Sequence, residues 1–242
     1  MRQTLAACAM LGLVAGTAQA TFLSFASDSD DKSWTWTGKG ASMFDAADAF
    51  DPITLMIDDH NGPLPAVAMS VEFDAEIHLS YNASVPIGGG FFVHTYHASG
   101  FFKFDDFSSG APVVKVFFEG AIMTAVGGAA SWGSTGALLG SDDFTSVTYE
   151  SHIHMPAYGL FAGATSIGPD DFGFDLSVIN HSGLIPYTPH PSTNGVALGS
   201  DMLPLVQWWA ESSYSGSAVF VPSPSSMALL GLAGLVAVRR RR

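Results

Sequence analysis

Hydrophobic and polar residues alternate along the middle of this chain, and the clearest run covers residues 71–81. Its apolar positions are Val71, Phe73, Ala75, Ile77, Leu79 and Tyr81, and its polar positions are Glu72, Asp74, Glu76, His78 and Ser80. A period of two is typical of a β-strand whose side chains point alternately to a core and to solvent. The run therefore predicts a long strand that carries its three acids on the solvated face.

Shorter apolar runs and turn signals continue this pattern over the rest of the chain. The runs are residues 53–57, 91–96, 113–118, 145–149 and 172–178, and the turn signals are Asn61-Gly62, Gly88-Gly89-Gly90, Gly127-Gly128 and Pro169-Asp170. Several short strands separated by turns are typical of an all-β protein. We expect a two-sheet antiparallel sandwich of jelly-roll type, formed by one domain over residues 21–221.

The charge of this domain is strongly negative. All 22 acidic residues of the chain lie in it and are opposed by only four lysines, which gives a formal charge of −18. Such a surface repels nucleic acid, which we exclude as a partner, and attracts cations. The single cysteine, Cys8, precedes the domain, so we expect no disulfide and no cysteine metal site in it.

The first twenty residues have the three parts of a secretory signal. Arg2 is the charged start, residues 5–15 are the apolar stretch, which we expect to be helical, and Ala18 and Ala20 have the small side chains that a signal peptidase requires. We predict a cut after Ala20, so that an exported chain begins at Thr21.

The last 21 residues, 222–242, form a second segment outside the domain. It contains Pro222, Ser223 and Pro224, an apolar stretch over residues 227–238, and the terminal cluster Arg239, Arg240, Arg241 and Arg242. Twelve helical residues span about 18 Å, which is less than the ~30 Å of a bilayer core. We therefore expect a short helix that holds the chain only transiently in the inner membrane. Because basic flanks stay on the cytoplasmic side, we expect the domain to lie on the opposite side of that membrane.

This order of prolines, short apolar helix and arginine cluster resembles the sorting segment of bacterial PEP-CTERM proteins, with Ser223 where that family usually has glutamate. The resemblance implies processing by an exosortase-type enzyme and attachment to, or release from, the cell surface, within extracellular polysaccharide. It covers this segment alone and implies nothing about the domain. Our first hypothesis is therefore a non-enzymatic structural or interaction protein of the cell surface or extracellular matrix.

A calcium-dependent or carbohydrate-binding module is the second hypothesis. The clusters Asp28–Asp31 and Asp58–Gly62 offer the oxygen ligands that calcium prefers, although neither completes an EF-hand loop. Trp34 and Trp36 would share one face of a strand, where their rings could stack on a sugar. No other cofactor is expected.

A glycoside hydrolase is the third hypothesis. The stretch Glu72-Phe73-Asp74-Ala75-Glu76 resembles the Glu-x-Asp-x-Glu strand of β-sandwich hydrolases of the laminarinase and lichenase kind. That resemblance implies that Glu72 is the nucleophile, Asp74 its tuning partner and Glu76 the acid/base. Alternating acids are also typical of any solvated strand in so acidic a domain, and we expect no enzymatic activity.

Histidines give a weak metal signal. His152 and His154 would share a strand face and could bind zinc together with His78, His94 or His97. His94 and His97 would lie on opposite faces of a regular strand and could not both join. Because a polar strand face also presents solvent-exposed histidines, we predict no metal site.

The tripeptide Asp-Asp-Phe occurs three times, at residues 105–107, 142–144 and 170–172. We expect each aspartate pair to form a turn by accepting hydrogen bonds from nearby backbone amides. Each phenylalanine is then expected to be the first inward-facing residue of the next strand.

Overall fold

The computed structural model describes residues 20–26, 34–36, 44–45, 52–59, 62–141, 145–180 and 195–221. Its strands are β1 (Ala20–Ala26), β2 (Trp34–Trp36), β3 (Phe44–Asp45), β4 (Ile53–Asp58), β5 (Val67–Gly88), β6 (Phe91–Asp106), β7 (Pro112–Gly128), β8 (Ser131–Ser141), β9 (Ser146–Ser151), β10 (Ala164–Thr165), β11 (Asp171–Asn180), β12 (Val196–Ala197) and β13 (Trp208–Val219). One 3₁₀ turn, Pro156–Tyr158, lies between β9 and β10. The all-β prediction is confirmed for the described residues.

All of these strands belong to one antiparallel sheet that closes on itself. The pairing order runs β7, β6, β5, β4, β1, β13, β11 and β8, and β8 then pairs with β7 again. The amino-terminal half of β7 instead pairs with β9, which carries β10. The predicted two-sheet sandwich is not confirmed, because the described strands are all joined in this one sheet. The predicted terminal helices lie in residues 1–19 and 222–242, outside the described part of the chain.

The interior of the closed sheet is filled by the apolar faces of its strands. On β5 the alternation predicted from the sequence is confirmed as far as Leu79, since Val71, Phe73, Ala75, Ile77 and Leu79 are all buried. Tyr81, the last apolar position of the run, is exposed, so the inward position expected for it is wrong. Aromatic rings dominate the centre, where Phe102 packs edge-on against Phe174 with 5.0 Å between ring centroids. Burying a phenylalanine side chain contributes about 1.5–3 kcal/mol, so this cluster is a main source of stability.

The two ends of the sheet differ in what they carry. At one end, which we call the terminal end, Ala20 at the start of β1 pairs with Val219 at the end of β13. Because the strands are antiparallel, the β5–β6 turn at residues 89–90 and the β7–β8 turn at residues 129–130 lie at the opposite end. We call this opposite end the hairpin end.

Candidate functional site

The acids of β5 lie together on the outer face of the sheet. Glu72, Asp74 and Glu76 alternate with buried residues, so all three point away from the core, as predicted. Glu72 is exposed, whereas Asp74 and Glu76 are partly covered by their neighbours on β6.

Strand register places basic residues beside these acids. Asp74, Lys103, Lys115 and Glu150 are successive partners across β5, β6, β7 and β9. The Lys103 ammonium lies 2.6 Å from the Asp105 carboxylate and 3.4 Å from the Asp74 carboxylate. Its hydrogen bond to Asp105 raises the pKa of Lys103, while its partial burial acts in the opposite direction. Two of the domain's four lysines therefore sit side by side in an otherwise acidic protein.

An aromatic pair adjoins this charged row. Phe101 and Phe117 are register partners on β6 and β7, with ring centroids 6.1 Å apart. The Lys115 ammonium lies 3.9 Å from the centroid of Phe101 and 4.6 Å from that of Phe117. A cation this close to the face of a ring is attracted by the negative charge of the π system.

These side chains form a surface that we call the mixed wall. Its residues are Glu72, Asp74, Glu76, Phe101, Lys103, Lys115, Phe117 and Glu150. Sequence analysis missed the aromatic pair, although a signal was present in the doublets Phe101-Phe102 and Phe117-Phe118. In a strand, one residue of any such doublet must face outward.

A retaining glycosidase would need the Glu72 and Glu76 side chains to converge over the outer face of β5. Such an enzyme places its two carboxyls about 5–5.5 Å apart, whereas residues four apart on a regular strand have Cα atoms about 13 Å apart. The register between β5 and β6 is continuous from Val71 to Tyr81, so no bulge brings Glu72 and Glu76 together. Glu76 instead lies 3.5 Å from the imidazole of His78.

The histidines considered as zinc ligands are dispersed. His152 and His154 follow the end of β9 at Ser151, so the shared strand face expected for them is wrong. Both are exposed, and the Nε2 atom of His152 lies 3.9 Å from the Glu150 carboxylate. His94 is buried and His97 is exposed, which confirms that they face opposite sides of β6. Within the described ranges, no three histidine, cysteine, aspartate or glutamate residues are grouped as a metal site would need.

The Asp-Asp-Phe motifs have different outcomes. Asp106 accepts hydrogen bonds from the Ser108 hydroxyl and from the hydroxyl and amide of Ser109, which lower the pKa of Asp106 to about 2. Its predicted turn-forming role is confirmed, but Phe107 is exposed, so the inward position expected for that residue is wrong. The turn continues through Gly110, and Phe107 stays in it rather than starting β7.

The third motif behaves as predicted at its phenylalanine. Phe172, the second residue of β11, is buried, and Asp170 accepts a hydrogen bond from the Ser166 hydroxyl. The second motif, residues 142–144, lies outside the described residues.

The proposed calcium clusters are only partly described. Residues 28–31 lie outside the described ranges, as do residues 60–61 of the other cluster. Asp59 is buried and accepts a hydrogen bond from the Leu64 amide at 3.5 Å. A Cβ atom at Gly62 would stand 1.5 Å from the Asp59 carboxylate, so a larger residue there would have to displace that carboxylate. For Trp34 and Trp36 only the backbone is described, and it pairs with β13 and β3.

The terminal segments are described only at their inner limits. Ala20 is the first residue of β1, and Ala18 lies outside the described residues. The sorting residues Pro222, Ser223, Pro224, Arg239, Arg240, Arg241 and Arg242 also lie outside them. In the described part of the chain, no helix has the length and apolar character needed to cross a membrane.

An open groove of about 680 Å³ crosses the outer face of β1, β13, β11, β8 and β7, and none of the mixed-wall residues line it. Gly173, Ser215 and Ser217 contribute small side chains to it, and Phe22 and Leu139 contribute large apolar ones. The groove contains none of the acids that sequence analysis considered catalytic.

Fold and surface together define a class: an all-β protein with a closed antiparallel sheet, an aromatic core and a mixed aromatic and charged outer wall. Comparisons with protein-family models, with curated proteins and with solved structures found no match to this chain.

Proposed function

We propose that this chain is an exported, non-enzymatic protein that is displayed at the cell surface or in the extracellular matrix. On this proposal a signal peptidase removes residues 1–20, and an exosortase-type enzyme processes the segment from Pro222 to Arg242. The inner membrane holds the protein transiently before its attachment or release. The finer architecture expected from the sequence, two opposed jelly-roll layers with short terminal helices, is part of the same proposal.

The observation that carries this proposal is the pairing of Ala20 with Val219. It supports a folded domain whose two proposed cleavage segments both adjoin the terminal end. Cleavage of both segments therefore leaves the strands of the sheet in place. A cut after Ala20 leaves residues 21–26 of β1 in place. Thr21 is buried, and its hydroxyl donates to the carbonyl oxygen of Tyr158, which anchors the new amino terminus.

Localisation in the native host tests the proposal. A tagged chain is compared with one in which Arg239, Arg240, Arg241 and Arg242 are all alanine, and with a matched control in which all four are lysine. We expect the alanine variant to remain unprocessed or misrouted, and the lysine control to travel normally because its positive charge is retained. Amino-terminal sequencing of exported protein should begin at Thr21. Intact chain in the cytosol, with both terminal segments retained, would contradict the proposal.

Carbohydrate binding at the mixed wall is a second candidate function. The observation that favours it is the outward-facing pair of half-buried Phe101 and exposed Phe117, flanked by carboxylates and ammonium groups. Aromatic rings present flat apolar area to a sugar face, and the charged neighbours can hydrogen-bond its hydroxyls. Extracellular polysaccharide of the host is the expected ligand.

Pull-down on that polysaccharide, with and without calcium, tests this candidate. Replacing Phe101 and Phe117 by alanine should abolish retention, whereas a matched change at exposed Leu139, which lies on β8 outside the mixed wall, should not. Dependence on calcium would favour the calcium-dependent form of the module. The hydrolase hypothesis has its own readout, which is release of reducing sugar that is lost in Glu72→Gln or Glu76→Gln.

A further inference from the structure

A serine and a histidine form a close cross-strand pair toward the hairpin end of the sheet. Ser84 on β5 and His94 on β6 are register partners, and the Ser84 Oγ lies 2.7 Å from the His94 Nδ1. His94 is fully buried, whereas Ser84 is partly exposed. The histidine is therefore shielded while the serine hydroxyl remains within reach of a dissolved molecule.

The other ring nitrogen fixes the direction of this hydrogen bond. The His94 Nε2 lies 2.8 Å from the carbonyl oxygen of Gly128 on β7. Because a carbonyl oxygen only accepts, Nε2 carries the hydrogen of the neutral ring, and Nδ1 offers a lone pair. Ser84 consequently donates its proton toward Nδ1. This is the arrangement of a nucleophile, a base and a third group that orients the base.

A third side chain completes the cluster. The Tyr81 hydroxyl donates to the Ser84 Oγ at 2.9 Å, and its ring is exposed to solvent. The Phe92 ring stacks on the imidazole of His94, with 6.2 Å between centroids, and covers it. Tyr81 is thus placed to donate a hydrogen bond to negative charge that develops next to Ser84.

An irregularity in β5 creates this cluster. The β5–β6 register shifts between Tyr81 and Ala83, so Asn82 has no partner in it. Residues three apart normally face opposite sides of a strand, but this shift lets Tyr81 and Ser84 share one face. Bulges commonly re-aim a side chain in this way.

We propose that Ser84 is a reactive nucleophile that takes an acyl group from a carboxylic ester. The Ser84 Oγ forms a bond to the ester carbonyl carbon while its proton passes to Nδ1 of His94. The carbon–oxygen bond to the leaving alcohol then breaks, and the alkoxide takes that proton. Water releases the acyl group by the same steps, which regenerates Ser84 and yields the carboxylic acid. This activity goes beyond export and surface display and does not depend on them, but it would replace the non-enzymatic part of the proposed function.

Fluorophosphonate labelling of the purified protein tests the proposal. Ser80 is a matched internal control, because it is exposed on the same strand and lies opposite exposed His97 in the same register. A positioned base contributes about 10²–10⁴-fold, so we expect Ser84 to be labelled at least about 100-fold faster than Ser80. Mass mapping of the labelled peptide distinguishes the two serines. Hydrolysis of p-nitrophenyl acetate should be lost in Ser84→Ala and unchanged in Ser80→Ala.

The histidine is tested with His94→Gln, whose amide can still donate to the Gly128 carbonyl. We expect Ser84 in that variant to label at the rate of Ser80. If the variant does not fold, the unaltered protein is labelled in urea instead. Unfolding should make Ser84 label no faster than Ser80. Equal labelling of the two serines in the folded protein would overturn the proposal, as would undiminished labelling in folded His94→Gln.

Discussion

Neighbouring phenylalanines on β6 occupy opposite environments. Phe102 is 0% exposed and packs against the rings of Phe172 and Phe174 at 5.2 and 5.0 Å between centroids. Phe101, one residue earlier, faces outward and contacts Phe117 and the ammonium of Lys115. The same side chain therefore stabilises the fold on one face of the sheet and is available to a ligand on the other.

The largest loss of stability is expected when the buried ring of Phe102 is removed. Phe102→Ala removes a fully buried aromatic side chain and leaves a cavity, which typically costs about 3–5 kcal/mol of unfolding free energy. Urea denaturation followed by tryptophan fluorescence measures this loss. A loss below about 1 kcal/mol would contradict the assignment of this ring to the core.

The division between inner and outer faces is the part of the fold that the sequence predicts best. Alternation is a local property, so residues 71–79 define the buried face of β5 without knowledge of its neighbours. The closure of the sheet could not be predicted, because it depends on β8 pairing with β7 along one edge and with β11 along the other. Such long-range pairing is set by packing of the whole domain.

A smaller loss of stability is expected when a buried hydrogen bond of Tyr149 is removed. The Tyr149 hydroxyl donates to the carbonyl oxygen of Asp171 and lies 3.1 Å from the Tyr214 hydroxyl. Tyr149→Phe should lower the unfolding free energy by about 1–2 kcal/mol at neutral pH, because the partners lose a buried hydrogen bond. Thermal or urea denaturation measures the loss, and Tyr158→Phe, at an exposed hydrogen bond to the carbonyl of Pro65, is the control.

The stability of Tyr149→Phe should also differ from that of the unaltered protein in its dependence on alkaline pH. Burial raises the pKa of Tyr149 well above its usual range, and it also raises that of Tyr214. Because the folded pKa exceeds the unfolded value of about 10, this contribution to stability is complete below pH 10 and is lost as the pH rises above it. Tyr149→Phe should therefore flatten the alkaline decline in stability. An unchanged decline would contradict the buried assignment.

On the outer face the expected change in stability is smaller still. Phe101→Ala removes a cation–π contact at a surface site, which contributes about 0.5–1 kcal/mol. Its unfolding free energy should therefore fall far less than that of Phe102→Ala, measured under the same conditions. A loss as large as that of Phe102→Ala would mean that the two faces do not differ as described.

The candidate sites were less accessible to sequence analysis than the core was. The three acids of β5 were placed correctly on one face, because period two is sufficient for that. Phe101 and Phe117 meet only through the β6–β7 register, which the sequence does not specify. Ser84 and His94 were hidden by the register shift near Asn82, since regular alternation would place Tyr81 and Ser84 on opposite faces.

The smallest effect is expected at a turn that lies on neither face. Hydrogen bonds from Ser108 and Ser109 lower the pKa of Asp106 to about 2 from its ordinary value of 3.8. A lowered folded pKa means that the contribution is present above about pH 4 and is lost as the pH falls toward 2. Asp106→Asn should therefore make the unfolding free energy fall less steeply with decreasing pH between these values. The change in slope corresponds to at most one bound proton, and urea midpoints at several pH values measure it. Asp175→Asn, at an exposed aspartate on β11, is the matched control, and equal slopes in the two variants would show that the turn does not hold the charged form of Asp106.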